Sequence, residues 1–257
     1  MRLRAFQVFG KVTDNTKLII LVGWLAFFLS YWTYNGYGDT KLFPSIPQVY
    51  NGLVYFWKTG LITHVFSSLA LCFKSLFISV LISMLVVYLS PIPVFYPLAK
   101  FISKLRYLPL TGISFYISIL VSDGRSIQVW ILVLFMTTFL TTSLLAVLKD
   151  IPEEEFNHAR TLGCSKFETL LEVVIKGRID YVIESIRQNF AMIWFGLVTV
   201  ESILASSGGI GFLIKNSDKF MNHGRIVALQ LIILVIGILL DEFFNFARKL
   251  LFRFSNF

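Results

Sequence analysis

EEEFNHARTLGCSKFETLLEVVIKGR, Glu153 to Arg178, lies between two long apolar segments and is too charged for hydrocarbon: five acids and four bases in 26 residues. Its residues describe a built object. Pro152 followed by Glu153, Glu154 and Glu155 opens a helix, because acids in a first turn complement the helix dipole and Pro lacks an N–H that would be unpaired there anyway. That helix is predicted to run to about Leu162 and to stop at Gly163, the residue that best accepts a left-handed C-terminal conformation. Ser165-Lys-Phe-Glu168 matches a capping box and starts a second helix. The apolar positions Phe167, Leu170, Leu171, Val174 and Ile175 follow i, i+3, i+4, i+7, i+8 and predict one packed face. A solvated hairpin that only links two spans is the plain alternative, but two capped helices and a defined turn exceed what a linker needs.

The surrounding chain is apolar beyond the range of soluble domains. Of its 257 residues 56% are hydrophobic and 15% charged, and the mean hydropathy is +0.74. It reads as an integral membrane protein from which no separate soluble domain can be cut. Six spans are expected, at residues 18–34, 65–90, 107–122, 126–148, 188–207 and 226–241. The third is short, with Pro109 near its start, and LFPSIPQVYNGLVYFWKTG after the first reads as an interfacial loop with one short surface helix. The first apolar run lacks a small-residue cleavage site and reads as a retained span.

Lys and Arg set the orientation. With the N-terminus inside, 16 basic residues fall on the inner side and six on the outer, with Lys74 within a span. The positive-inside bias therefore places both termini and the charged insert, residues 150–178, in the cytoplasm. A net charge of +8 is read as this asymmetry and not as nucleic-acid binding. Cys72 and Cys164 form no metal-ligand spacing, and His64, His158 and His223 are too scattered for a metal triad. No nucleophile–base pair is visible, and no G-x-x-x-x-G-K-[ST] phosphate loop is present, so any ATP chemistry must come from another polypeptide.

Two charges fall where hydrocarbon penalises them. Lys74 sits about ten residues into its span, roughly 15 Å deep, and by default faces a cavity or a partner. It is a cation for an anionic solute, half of a structural ion pair, or a lysine that snorkels to the interface. Glu201 is the matching acid: a gate residue, a partner for Lys74, or an acceptor for Ser206 and Ser207. Both Lys74 and Glu201 are expected to face the bundle interior. Gly208, Gly209 and Gly211 read as a tight re-entrant turn, and the terminal DEFFNFARKLLFRFSNF as an amphipathic anchor with Arg248, Lys249 and Arg253 toward lipid head groups.

The insert resembles a known cytoplasmic signature. Asn157-His158-Ala159, three residues, Gly163, nine residues, then Val173-Val174-Ile175 is similar to E-A-A, three residues, G, nine residues, I-x-L-P of binding-protein-dependent ABC transporter permeases. The departures are Asn157 for Glu, His158 for Ala and Lys176 for Pro. LFPSIPQVY (42–50), RYLPL (106–110) and VTVESILASSGGIGFLI (198–214) resemble further stretches of the nitrate, sulfonate and taurine importer branch, in the right order. The resemblance implies an all-α membrane fold of six transmembrane helices with a two-helix coupling insert. It makes Asn157, His158, Ala159, Arg160, Thr161, Leu162 and Gly163 the ATPase-coupling residues. Lys74, Glu201, Ser206, Ser207, Gly208 and Gly209 become the candidate substrate path or gate. The implied partners are a second permease copy, a cytoplasmic ATPase dimer carrying ATP and magnesium, an external solute-binding protein and the lipid of a bacterial inner membrane. The chain itself would hold no cofactor and would not be an enzyme. The implied solute is a small anion such as a sulfonate, taurine or nitrate. An importer of a thiamine precursor or other small nitrogen compound, and a membrane scaffold that keeps the fold without transport, are the alternatives.

Overall fold

The computed structural model describes residues 13–36, 44–205 and 208–251, and all regular structure among them is helical. Four helices are long and apolar enough to cross a membrane, at residues 15–35, 61–89, 124–149 and 223–250. They belong to α1 (Asp14–Gly36), α3 (Leu61–Leu89), α6 (Gly124–Lys149) and α11 (His223–Leu251). The expected third span is the 11-residue helix α5 (Leu110–Leu120), which starts only after Pro109. At 1.5 Å per residue it reaches about 16 Å, half of a bilayer core. The expected fifth span falls in α9 (Ile179–Ile203), which begins well before residue 188 and ends before the glycine turn. Shorter helices complete the chain: α2 (Ile46–Lys58), α4 (Tyr96–Lys104), α7 (Glu153–Thr161), α8 (Lys166–Thr169) and α10 (Ile210–Lys219).

The core is built on α3 and α6, which run parallel. Ser68, Ser75, Ser79 and Ser83 of α3 are buried, and small side chains let the two backbones approach. Ser79 Oγ shares its hydrogen between the Ser75 carbonyl of its own helix at 2.7 Å and the Val133 carbonyl at 3.2 Å, and Ser83 Oγ donates to that of Thr137 at 3.3 Å. Leu71, Cys72, Leu132, Met136 and Leu140 pack there with Phe190, Ile193 and Leu197 of α9 and Leu229 of α11. A smaller apolar cluster, Val87, Ala99, Leu144, Leu145 and Val182, closes the end that adjoins the insert.

At the opposite end, α2 is the expected short amphipathic helix. Ser45 N–H donates to Gln48 Oε1 at 3.0 Å, and Val49, Gly52 and Phe56 form its buried face. It docks on α11 through paired glycines: a Cβ on Gly52 would meet the Gly224 carbonyl, and a Cβ on Gly224 the Gln48 backbone. The Arg225 guanidinium lies 3.5 Å over the Tyr55 ring. α1 is different. Its membrane-length window has no buried residue, and Trp32 Nε1 donates to the Pro44 carbonyl at 2.8 Å.

At the insert end, Glu184 joins α9 to α11. Its carboxylate accepts from Arg187 Nη2 at 2.7 Å and Nε at 3.0 Å, Gln188 Nε2 at 3.0 Å and Arg248 Nη1 at 2.6 Å. Arg187 also reaches Asp241 at 3.4 Å. This corrects the expectation for Arg248. Its side chain is 12% exposed and faces an acid on a neighbouring helix, not lipid head groups. Arg253 lies outside the described residues.

The Arg187 hydrogen bonds are the main cause that holds the Glu184 carboxyl down to about 2, against its partial burial. Because the folded value lies below the unfolded one of about 4.3, the stabilisation is full above roughly pH 4.5 and is lost as pH falls through about 2. Glu184→Gln should therefore lower stability at pH 7 by about 2–3 kcal/mol and flatten the acid-side fall in melting temperature. Thermal unfolding in detergent across pH 3–7 checks this; parallel curves for the two proteins would contradict it.

Candidate functional site

The charged insert folds as a rigid two-armed protrusion. α7 ends in a Schellman motif: Cys164 N–H donates to the Ala159 carbonyl at 3.1 Å, Gly163 N–H to that of Arg160 at 3.0 Å, and Gly163 has φ +79°. The next arm starts on a complete capping box, in which Ser165 N–H donates to Glu168 Oε2 at 2.7 Å and Glu168 N–H to Ser165 Oγ at 3.3 Å. At the base, Arg178 Nη2 meets Glu155 Oε1 at 2.5 Å and clamps the two arms together. Of the signature residues only Ala159 is buried; Asn157, His158, Arg160, Thr161, Leu162 and Gly163 all face out.

The second arm departs from its expected period. After one turn of α8 it continues as a π-helical run, Leu170–Ile175, and then a 3₁₀ turn, Lys176–Arg178. A π turn holds more residues than an α turn, so positions seven apart no longer share a face. Val174 is buried and Leu170, Leu171 and Ile175 are half-buried, but Phe167 is 67% exposed. With Leu162, 71% exposed, Phe167 presents an apolar pair at the tip, on either side of the Gly163 turn.

The second site lies at the far end of the bundle, around Glu201. The residue has no exposed surface. Ser68 Oγ lies 2.8 Å from both carboxylate oxygens, Gly211 N–H donates at 3.0 Å, and Arg125 Nη1 lies at 3.7 Å. Ser68 Oγ also accepts from Ile210 N–H at 2.9 Å, so the acid holds the start of α10 against α3. Arg125 in turn donates to the Ser67 carbonyl and to Gln128 Oε1. The turn itself requires glycine. Gly208 and Gly209 have φ +80° and +108°, and a Cβ on Gly209 would overlap the Glu201 carboxylate. Gly209 N–H donates to His64 Nδ1 at 3.2 Å.

Glu201 therefore faces the bundle interior and Gly209 and Gly211 enclose it, while Ser206 and Ser207 lie outside the described residues. Lys74 does not join them. Its side chain is exposed on α3, so the interior position expected for it is corrected, and Arg125 takes the place of Lys74 as the cation beside Glu201. Lys74 instead lies near Asp123, the N-cap of α6. The Ser126 N–H chiefly holds that carboxyl below its usual range, and Lys74 adds a small contribution. Ser68, Arg125 and His64 were not singled out as a cluster by the sequence. Their only signals are an arginine beside a predicted span and a serine among apolar neighbours.

The class of protein follows from setting this all-helical bundle, with its capped charged protrusion and its buried acid under a glycine turn, beside known transport subunits. Residues 52–253 match the family described as binding-protein-dependent transport system inner membrane component, and the chain belongs to it. It is 26% identical over 140 residues to the taurine transport system permease protein TauC of Escherichia coli, covering 54% of this chain and 48% of that protein. It is 27% identical over 105 residues to the bicarbonate transport system permease protein CmpB of Synechococcus elongatus, covering 41% and 38%. It is also 25% identical over 109 residues to the aliphatic sulfonates transport permease protein SsuC assigned in Bacillus subtilis, covering 42% and 39%. The matched stretches thus span less than half the length of these relatives. The fold is also that of a solved amino acid ABC transporter with histidines, at a TM-score of 0.63 and 15% identity over 78% of this chain and 96% of that one.

Glu201→Ala should cost about 3 kcal/mol, the low end for a broken buried pair, because Arg125 is 28% exposed and stays partly solvated. Glu201→Gln, which keeps an acceptor for Ser68 and Gly211, should cost less. Arg125→Ala together with Glu201→Ala should cost less than the sum of the two single changes. Thermal unfolding in detergent measures all four proteins, and equal losses for Ala and Gln at Glu201 would contradict this account.

Proposed function

We propose that this chain is the permease subunit of an ATP-driven importer, in which residues 150–178 dock into a separate ATPase and transmit its movement to the bundle. The observation that carries this is the exposed Leu162–Phe167 pair at the tip of a charged, doubly capped protrusion. Two large apolar side chains that far from any core leave a surface suited to a partner. The short arms, the Schellman turn and the Arg178–Glu155 clamp support a rigid lever, since a slack loop would absorb displacement. Six crossings with both termini and the protrusion in the cytoplasm agree with the 16-to-6 distribution of basic residues.

In this reading two copies of the chain frame one path, and an external binding protein delivers the solute. A small solute with an anionic group fits best: relatives are named for bicarbonate and sulfonate transport and for transport of taurine, a zwitterion that carries a sulfonate, and Lys74 offers an exposed cation on α3. The Glu201 cluster and the Gly208–Gly209 turn form the outer gate, held shut or positioned by the carboxylate.

Gly163 is the sharpest test, because its φ of +79° penalises an L side chain. Gly163→Val should strain the turn by about 1–2 kcal/mol and reduce ligand-stimulated ATP hydrolysis of the assembled importer to its unstimulated level, with membrane insertion unchanged. Gly163→Asn, which tolerates the left-handed region, should retain most of the stimulation. Normal stimulation in Gly163→Val would sink the docking role. Orientation is checked by the native Cys164, which should react with an impermeant maleimide only after intact cells are permeabilised.

A further inference from the structure

A cavity of about 960 Å³ opens between the protrusion and the α3–α4 turn. Its walls come from four places in the chain: the turn with Ile92 and Tyr96, the end of α6, the first arm with Phe156 and Arg160, and the second arm with Lys166 and Val174. Arg160 and Lys166 bring two positive charges, and no carboxylate lines the cavity. Lys166 makes no ion pair among the described residues, and Arg160 spends one N–H on the neutral Asn157 Oδ1 at 3.2 Å. The other flank of the protrusion has the opposite character: a cavity of about 700 Å³ lined by Glu154, Glu155 and Glu172. Three of the five acids of this segment thus line the second cavity and none lines the first.

We propose that the cavity beside Arg160 and Lys166 binds an amphiphilic anion. Its anionic head lies between the two bases and its apolar body against Ile92, Phe156 and Val174. The charge calls for an anion, and the mixed lining excludes a bare inorganic ion as the best fit, because most of the wall would then face an empty apolar space. An occupant touches both arms and the α3–α4 turn at once, so it ties the protrusion to the bundle. The site lies on the segment proposed to dock the ATPase and shares Arg160 with it, so it is tested on the chain without an ATPase, where only the anion can cover it. The head group has two sources with one chemistry: a soluble alkyl anion or the head of an anionic lipid.

The protein carries its own reporter. Cys164 lines this cavity, borders the acidic one on the other flank as well, and is half-buried, while Cys72 is fully buried in the core. The test measures N-ethylmaleimide labelling of Cys164 in the full-length chain in phosphatidylcholine nanodiscs, with octanesulfonate or octanol added. At about ten times its Kd octanesulfonate should slow labelling roughly tenfold, as expected for a ligand that occupies all but a tenth of the sites. Octanol should have no such effect. Arg160→Gln with Lys166→Gln should abolish the protection, and Arg160→Lys with Lys166→Arg should preserve it, which separates lost charge from a misfolded protrusion. Phosphatidylglycerol nanodiscs identify the source. Slow labelling there without added sulfonate, restored by the neutral variant, assigns a lipid head group. Unchanged labelling there, with protection by octanesulfonate, assigns a soluble anion. Absence of protection in both settings, or equal protection by octanol, overturns the proposal.

Discussion

A carboxylate with no exposed surface must have its charge and lone pairs answered by protein, and at Glu201 the answer comes from three directions. Ser68 reaches in from α3, the Gly211 N–H from α10, and Arg125 from α6. Ser68 and the glycine turn both pack directly against the acid. Ser68 uses the same oxygen to hold the Ile210 N–H, and Gly209 is confined to glycine because the carboxylate fills the space its Cβ would need. One charged group thus fixes where α9 stops, how α10 starts and how both meet the parallel pair of α3 and α6. Burial of such a group is costly alone and specific when fully partnered.

The protrusion was readable because its determinants are local. Glu153–Glu155, Gly163 and the Ser165–Glu168 box act within four residues of their targets, and each was found where its chemistry required. The all-helical membrane class was equally plain from hydropathy. The π-helical run was not, since a strict 3.6-residue repeat fits LLEVVI as well as the real path does, and the repeat turned Phe167 inward. The partners of Glu201 were hidden for a different reason. Ser68 is 133 residues away, and no periodicity specifies which cation of α3 or α6 a buried acid will meet. Depth alone favoured Lys74; the packing of the helices selected Arg125.

The two ends of the bundle are held by different physics. At the far end the contacts are close and largely glycine-mediated, with Gly52 and Gly224 allowing backbone to meet backbone. At the insert end long side chains carry the joint: Glu184 gathers Arg187, Gln188 and Arg248. Long side chains can exchange partners through small torsional changes, whereas a glycine contact exists in one geometry only. The tight end suits a closure, and the compliant end adjoins the part proposed to be pushed.

The serine contacts between α3 and α6 have a mechanical meaning. Ser79 and Ser83 each bond to a carbonyl 54 residues ahead, so the two helices share one constant register. Sliding either helix along the other by half a turn, about 2.7 Å, would break both bonds together, since serines and carbonyls both recur every four residues and could pair again only after a full turn. The pair therefore resists small sliding displacements more than it resists tilting or rotating as a whole. Relative motion is then taken up by elements outside it, such as α5, which is short and has no buried residue.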